Sequence, residues 1–132
     1  VLQQRAPILK RKRETTCAAI MSWIQSAGFS RMVLVCSADA TLRTDAELGP
    51  GLFFASSPAD GGERESALHL RKLSGERLAM VLGSSSIPLR LLDSSRKNNF
   101  PMTLTVAFTS EGDNVQDGVM SAACLNALLQ WI

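Results

Sequence analysis

The sequence predicts an α/β domain with a mostly parallel sheet flanked by helices, and three observations carry that expectation. Met32-Val33-Leu34-Val35-Cys36 is an unbroken apolar run, the pattern of a strand covered on both faces. From Glu14 to Ala27, the residues Cys17, Ile20, Met21 and Ile24 recur at i, i+3, i+4 and i+7, which places them on one helix face. Met102 to Phe108 is rich in Thr, Val and Phe, as strands are. A chain of 132 residues fits one domain, here residues 1–132, and can bury about two thirds of the surface its unfolded form exposes.

The elements follow in order. Residues 1–9 read as a strand ending near Pro7, and Lys10 to Arg13 as a solvated basic turn. In the first helix Glu14 suits the positive end of the dipole, and Gly28 supplies the left-handed residue that closes it. Strand, helix and the Met32–Cys36 run together make a βαβ unit with a right-handed crossover. Ser37 to Pro58 reads mostly as loop, broken by Gly49-Pro50-Gly51, and Leu52-Phe53-Phe54 must find cover in the core or on a partner. Asp60-Gly61-Gly62 is a turn. Glu63 to Leu73 reads as a helix with Ala67, Leu70 and Leu73 as its stripe, and Gly75 ends it. Arg77 to Leu82 reads as a strand, Gly83-Ser84-Ser85-Ser86 as a loop, and Ile87 to Lys97 as a helix that tolerates Pro88 in its first turn. After the Met102–Phe108 strand, Ser110 to Asn114 is a turn and Val115 to Ile132 a long helix.

Composition narrows the functional classes. The hydrophobic fraction of 45% and charged fraction of 20% are near the globular average, and a net charge of +2 does not by itself point to a polyanion. No apolar run approaches the roughly 20 residues of a membrane helix. Cys17, Cys36 and Cys124 are odd in number and widely spaced, which excludes a zinc ribbon and reads as reduced thiols of a cytosolic protein. The expected location is cytoplasmic, with the nucleus as a second one. His69 is the single histidine, so any Ser-His-Asp or Cys-His device must use it, yet it lies in a charged stretch with no G-x-S-x-G elbow in the chain. It reads as an exposed structural histidine. No metal and no cofactor are expected.

Four places hold candidate chemistry. Gly83, Ser84, Ser85 and Ser86 place a Gly/Ser loop before a helix, aiming backbone N–H groups and the positive dipole end at one point, where an anion can bind. The plainer reading is that Ser86 caps the helix. Ser110-Glu111-Gly112-Asp113-Asn114 packs two acids into a turn, where Asp113 or Asn114 caps the next helix and Gly112 permits the sharp bend. Arg5 with Lys10 to Arg13 forms a basic patch without aromatic residues to stack on bases, so it reads as solvated and no nucleic acid is expected. The last helix carries no charge from Gly118 to Ile132 and so lacks the wide polar face of a surface helix. Either a partner subunit or further chain must cover it, and Leu125, Leu128 and Leu129 are the candidate partner-binding residues.

Both ends read as cut. Val1 opens directly into an apolar segment, and Leu128-Leu129-Gln130-Trp131-Ile132 remains in a helical pattern with no stop signal, so part of the sheet is expected to lie outside the chain.

Phe108-Thr109-Ser110-Glu111-Gly112-Asp113-Asn114-Val115, followed by Asp117, resembles the strand-to-helix junction of the proteasome assembly chaperone family. Further blocks occur in the same order as in that family. They are Leu2 to Ile8, Cys17, Ser22-Trp23-Ile24, Gly28, Arg31 to Val35, Arg43-x-Asp45-x-x-Leu48, and Gly83 to Ile87 with Leu91. The stretch from Ser56 to Gly75 diverges. The resemblance implies a nucleoside-phosphorylase-like α/β fold without enzymatic activity. It implies pairing with proteasome assembly chaperone 1, contact with proteasome α-subunits, and scaffolding of α-ring assembly. The resemblance also implies that the family's N-terminal strands precede Val1 and that its C-terminal hydrophobic–tyrosine tail is missing from this chain, which has no tyrosine. The rival reading is a small-ligand or phosphorylase-like enzyme with its anion site at Gly83–Ser86.

Overall fold

The computed structural model describes residues 1–49 and 51–130. Pro50 of the expected Gly-Pro-Gly break, and Trp131 and Ile132 at the end of the expected last helix, lie outside the described residues.

The fold is α/β, with helices on a four-stranded sheet. In chain order the elements are α1 Arg13–Ser26, β1 Met32–Asp39, β2 Phe53–Ser56, α2 Glu63–Ala67, β3 Arg71–Lys72, α3 Gly75–Leu82, α4 Ile87–Lys97, β4 Met102–Thr109 and α5 Val115–Gln130. The sheet order is β1-β4-β2-β3. β1 runs parallel to β4 and β2 parallel to β3, but β2 and β4 are antiparallel. The sheet is therefore mixed, not mostly parallel. After β1 the chain forms only short 3-10 turns at Ala40–Leu42 and Asp45–Glu47. Without a crossover helix it enters β2 from the end at which β1 finished, and so runs back antiparallel.

β4 is the spine. Met102, Leu104, Val106 and Phe108 point to one face, where they meet the Cys17, Met21 and Ile24 stripe of α1, Leu78 of α3 and Leu92 of α4 in a single core. Leu78, Leu92, Met102, Leu104 and Val106 are fully buried, so truncating any of them to Ala should cost about 2–5 kcal/mol. The opposite face of β4 carries Thr103, Thr105 and Ala107, also buried, and α5 packs over this side of β1 and β4.

Several expectations change. Residues 1–9 form no strand, so the first βαβ unit is absent among the described residues. β1 is an edge strand, and Val35 is 41% exposed, so its apolar run is not covered on both faces. Phe53–Ser56 is a buried strand, not loop. The Glu63–Leu73 helix is cut short at Ala67, because the chain turns through His69 at φ +58° into β3. The Arg77–Leu82 strand is a helix: Ser74 accepts a hydrogen bond from the Arg77 N–H and caps it, and Leu78 and Val81 share its buried face. Gly62 precedes α2 at φ +75°, where a Cβ would lie 2.9 Å from Ser56 Oγ and 3.1 Å from the Phe54 ring. Both the conformation and the space require glycine there.

Candidate functional site

The most distinctive surface is the outer face of α5. Its inner face (Asp117, Met120, Ser121, Cys124 and Leu128) follows the i, i+3, i+4 rhythm toward the sheet. The outward stripe consists of Val115, Val119, Ala122, Asn126 and Leu129, spaced alternately four and three residues apart. Val115 is 69% exposed, Val119 60% and Leu129 49%. The helix has no charged residue from Gly118 to Gln130 to break this face. Of the three leucines expected to bind a partner, Leu129 is exposed and Leu125 half-buried. Leu128 is fully buried in the chain's own interior, so it is not part of a free surface. The pairing period of the stripe was present in the sequence, but which of its two faces the sheet takes depends on how the Thr-lined side of β4 receives the helix.

Two of the motif blocks emerge side by side. β1 ends at Asp39, whose register partner is Thr109 at the end of β4. The Arg43–Leu48 block and the Ser110–Asp117 block therefore leave the sheet from the same end of two adjacent parallel strands. In the second block Asp113 Oδ1 accepts from Val115 N–H at 3.1 Å, and Gly112 sits at φ +122°, as the turn demands. Ser110, Glu111, Asp113 and Asn114 are exposed, and Asp117 is half-buried. In the first block Asp45 is exposed, and Arg43 Nε donates to Ala40 O at 3.4 Å.

Neither Arg43 nor Asp45 organises that loop; Glu47 does. Thr44 and Glu47 form a reciprocal capping box. Glu47 also receives Arg77 Nε at 2.7 Å and Nη2 at 2.6 Å. The Arg77 hydrogen bond, with help from Thr44 and the arginine's charge, holds the Glu47 carboxyl down at about 2 against the opposing effect of burial. Arg77 also donates to Leu42 O, and Arg71 to Ala46 O at 2.9 Å and Glu47 O at 3.0 Å. Arg71 rests over the Phe53 ring, 4.4 Å from its centroid. The T-x-x-E spacing from Thr44 to Glu47 was the signal in the sequence for this site.

The Gly83–Ser86 loop lies where α4 begins, with Gly83 at φ +82°. Ser86 is the N-cap residue by its backbone, yet its side chain makes no capping hydrogen bond, which corrects the plainer reading of this serine. Its Oγ is buried without a partner among the described residues. Arg13 Nη1 donates to Ser85 O at 3.2 Å and to Ser85 Oγ at 3.4 Å, and Arg90 Nε donates to Ser85 O at 3.3 Å. Arg13 therefore belongs to this loop and not to the solvated basic turn, while Arg5, Lys10, Arg11 and Lys12 remain exposed.

A buried ionic cluster was missed entirely. Arg31 Nε meets Asp60 Oδ1 at 2.8 Å, and its Nη2 reaches Asp60 Oδ2 at 3.1 Å, Thr103 Oγ1 at 2.6 Å and Glu65. Thr103 also donates to Asp60 at 2.8 Å and bonds Glu65. The Arg31 and Glu65 side chains are 5% and 0% exposed. Arg31 Nη1 and Glu65 Oε2 find no hydrogen-bond partner among the described residues. No local spacing announces residues this far apart in the chain, and Ser56 to Gly75 is the stretch that diverges from the family.

His69 is exposed, just beyond α2, in the left-handed region. The three cysteines are free thiols. Burial pushes the Cys36 thiol up to about 12. Burial raises Cys17 against the nearby Arg90 charge, and raises Cys124 together with the negative charge of Glu65. Among the described residues no cluster of three or more His, Cys, Asp or Glu can hold a metal. Among the described residues no helix is long and apolar enough to cross a membrane.

Fold and surface thus define an α/β domain whose leading feature is an apolar helix face. The chain is 33% identical over 139 residues to proteasome assembly chaperone 2 of Danio rerio, covering 96% of this chain and 54% of that protein. To the proteins of the same name from Nematostella vectensis and Mus musculus it is 29% and 27% identical, over 98% and 100% of this chain and 59% and 55% of theirs. The resemblance read from the motifs thus extends along nearly the whole chain and across species. The chain spans about half the length of the curated relatives it matches. No family model matches it. Among solved structures, a Thermoplasma acidophilum protein with unknown function superposes with a TM-score of 0.62 at 15% identity, covering 95% of this chain and 46% of that one. That likeness is one of fold.

Proposed function

We propose that this chain acts in proteasome assembly as a non-enzymatic chaperone subunit, pairing with proteasome assembly chaperone 1 and helping to scaffold the α-ring through contact with α-subunits. The names of its relatives support the assembly role. The observation that carries pairing is the α5 stripe: Val115, Val119 and Leu129 stand exposed on a helix with no charge from Gly118 to Gln130. An apolar face of this kind is stabilised by burial against another apolar surface, at roughly 25 cal/mol per Å². A nucleoside-phosphorylase-like architecture and a cytoplasmic and nuclear location belong to the same proposal.

Native mass spectrometry of the chain co-expressed with proteasome assembly chaperone 1 tests it. A one-to-one complex that is lost in Val119→Asp is expected. A lone chain, or a complex indifferent to Val119→Asp and Leu129→Asp, refutes pairing through α5. The phosphorylase-like alternative centres on the Gly83–Ser86 loop, and only its anion chemistry has direct geometric support.

A further inference from the structure

We propose that the cleft at the start of α4 is a binding site for a compact oxyanion of the phosphate class, held by Arg13, Ser86 and the first N–H groups of the helix, with the charge of Arg90 close by on Ser85. This inference is independent of pairing through α5.

The charge balance of the cleft is the first argument. The guanidinium groups of Arg13 and Arg90 converge on one carbonyl oxygen, Ser85 O. Among the described residues neither forms an ion pair; the pairs present involve Arg31, Arg77 and Arg96. Two like charges brought together without a counter-charge repel, and the exposed Lys10, Arg11 and Lys12 add to the positive potential. Each guanidinium offers five donors, so both keep N–H groups beyond those given to Ser85. The nearest acid along the chain, Glu14, is exposed and forms no ion pair among the described residues.

The second argument is an unmet hydrogen bond. Ser86 Oγ is shielded from solvent and has no partner among the described residues, and it does not cap the helix it precedes. A buried hydroxyl left unpaired costs about 1–3 kcal/mol, so such a group calls for a partner. The first-turn N–H groups of α4, left free by the absent cap, lie at the same point, where the helix dipole places about half a positive charge. Pro88, in that first turn, contributes none of them.

The third argument is space. Arg13, Ser86, Ile87 and Pro88, with Gln4, Pro7 and Ile8 of the N-terminal segment, line a cavity of about 200 Å³ at this point. Pockets for drug-sized ligands run to roughly 300–1,000 Å³, so this one suits a single small anion. A tetrahedral oxyanion matches the donors: it accepts from the Arg13 fork, one hydroxyl and the helix N-terminus together, while Arg90, outside the cavity wall on Ser85 O, adds its positive charge.

The test is a titration of the ¹⁵N-labelled chain with inorganic phosphate, with sodium chloride at matched ionic strength as the reference. Saturable shifts of the Ile87 and Leu89 amides in phosphate but not in chloride are expected. Arg13→Gln and Arg90→Gln should each weaken apparent affinity by about tenfold, the scale of one charge-assisted hydrogen bond. Ser86→Ala, which removes only a hydroxyl and leaves both arginines in place, should weaken it by about threefold and serves if an arginine variant does not fold. Shifts that track ionic strength alike in both salts overturn the proposal. So does phosphate binding that is unchanged in all three variants, or acetate saturating the site as tightly as phosphate.

Discussion

Replacing Arg31 with methionine probes the buried ionic cluster directly. The arginine side chain is 5% exposed and holds two carboxylates, Asp60 at 2.8 Å and the fully buried Glu65. A methionine in its place would fill much of the volume but strand two acids and the Thr103 hydroxyl between them. Removing one partner of a buried pair typically costs about 3–5 kcal/mol, because the charge left behind has neither water nor a partner. For a chain of this length each kcal/mol shifts the melting temperature by about 3–5 °C, so Arg31→Met should lower Tm by about 9–25 °C. The urea midpoint should fall with little change in slope. Adding Glu65→Leu to Arg31→Met should recover part of the loss, since it removes the more deeply buried of the stranded acids. A loss below about 1 kcal/mol in Arg31→Met would refute this reasoning and mean that water reaches the cluster and solvates both carboxylates.

Three further outcomes are expected. Val119→Asp should leave the urea midpoint of the isolated chain within about 0.5 kcal/mol of the parent, since the site is exposed, whereas Leu128→Ala should cost about 2–5 kcal/mol; the contrast separates the outer and inner faces of α5. Glu47 titrates at about 2 when folded against an ordinary 4.5, so its contribution is present above pH 4.5 and is lost as pH falls from there toward 2. Acid unfolding of Glu47→Gln should accordingly show a flatter fall in stability across that window. With the Cys36 thiol at about 12 and those of Cys17 and Cys124 also raised, a disulfide reagent at pH 8 should label the native chain slowly and the urea-unfolded chain fast.

What the sequence made legible was whatever local spacing determines. The α1 stripe, the β-rich Met102–Phe108 run and the α4 helix with its early proline all depend on residues within one turn or one strand, and all three are present. α3 was misread because Ala79, Met80, Val81 and Leu82 form an apolar run that suits either period. Ser74, placed to cap it, was the deciding signal. Phe53–Ser56 is only four residues long and follows a Gly-rich break, so its strand character exists through pairing with β4 and β3. The Arg31 cluster joins three parts of the chain that no linear pattern links, and the polarity of those residues argued for the surface. α5 was correctly singled out as lacking a polar face, but its residues alone do not tell the face packed on Thr103 and Thr105 from the free one.

The parallel pairing of β1 with β4 gives the motif order a physical meaning. Both strands finish at the Asp39–Thr109 end of the sheet, and the chain leaves from there into the Arg43–Leu48 loop and the Ser110–Asp117 turn. The short connections of α1 to β1 and of α4 to β4 bring the N-terminal ends of both helices to that end as well, where Arg13 ties one to the other through Ser85. Open α/β sheets present their adaptable loops at the carboxyl ends of the strands, held by a rigid scaffold. The resemblance blocks at Arg43–Leu48, Gly83–Ile87 and Ser110–Asp117 thus share one rim, while α5 leads away from it with its apolar stripe outward. A partner that docks on α5 can reach that rim through the first turn of the helix, at Val115. Substitutions on the rim should therefore alter the affinity of an α5-bound partner without altering the stability of the sheet.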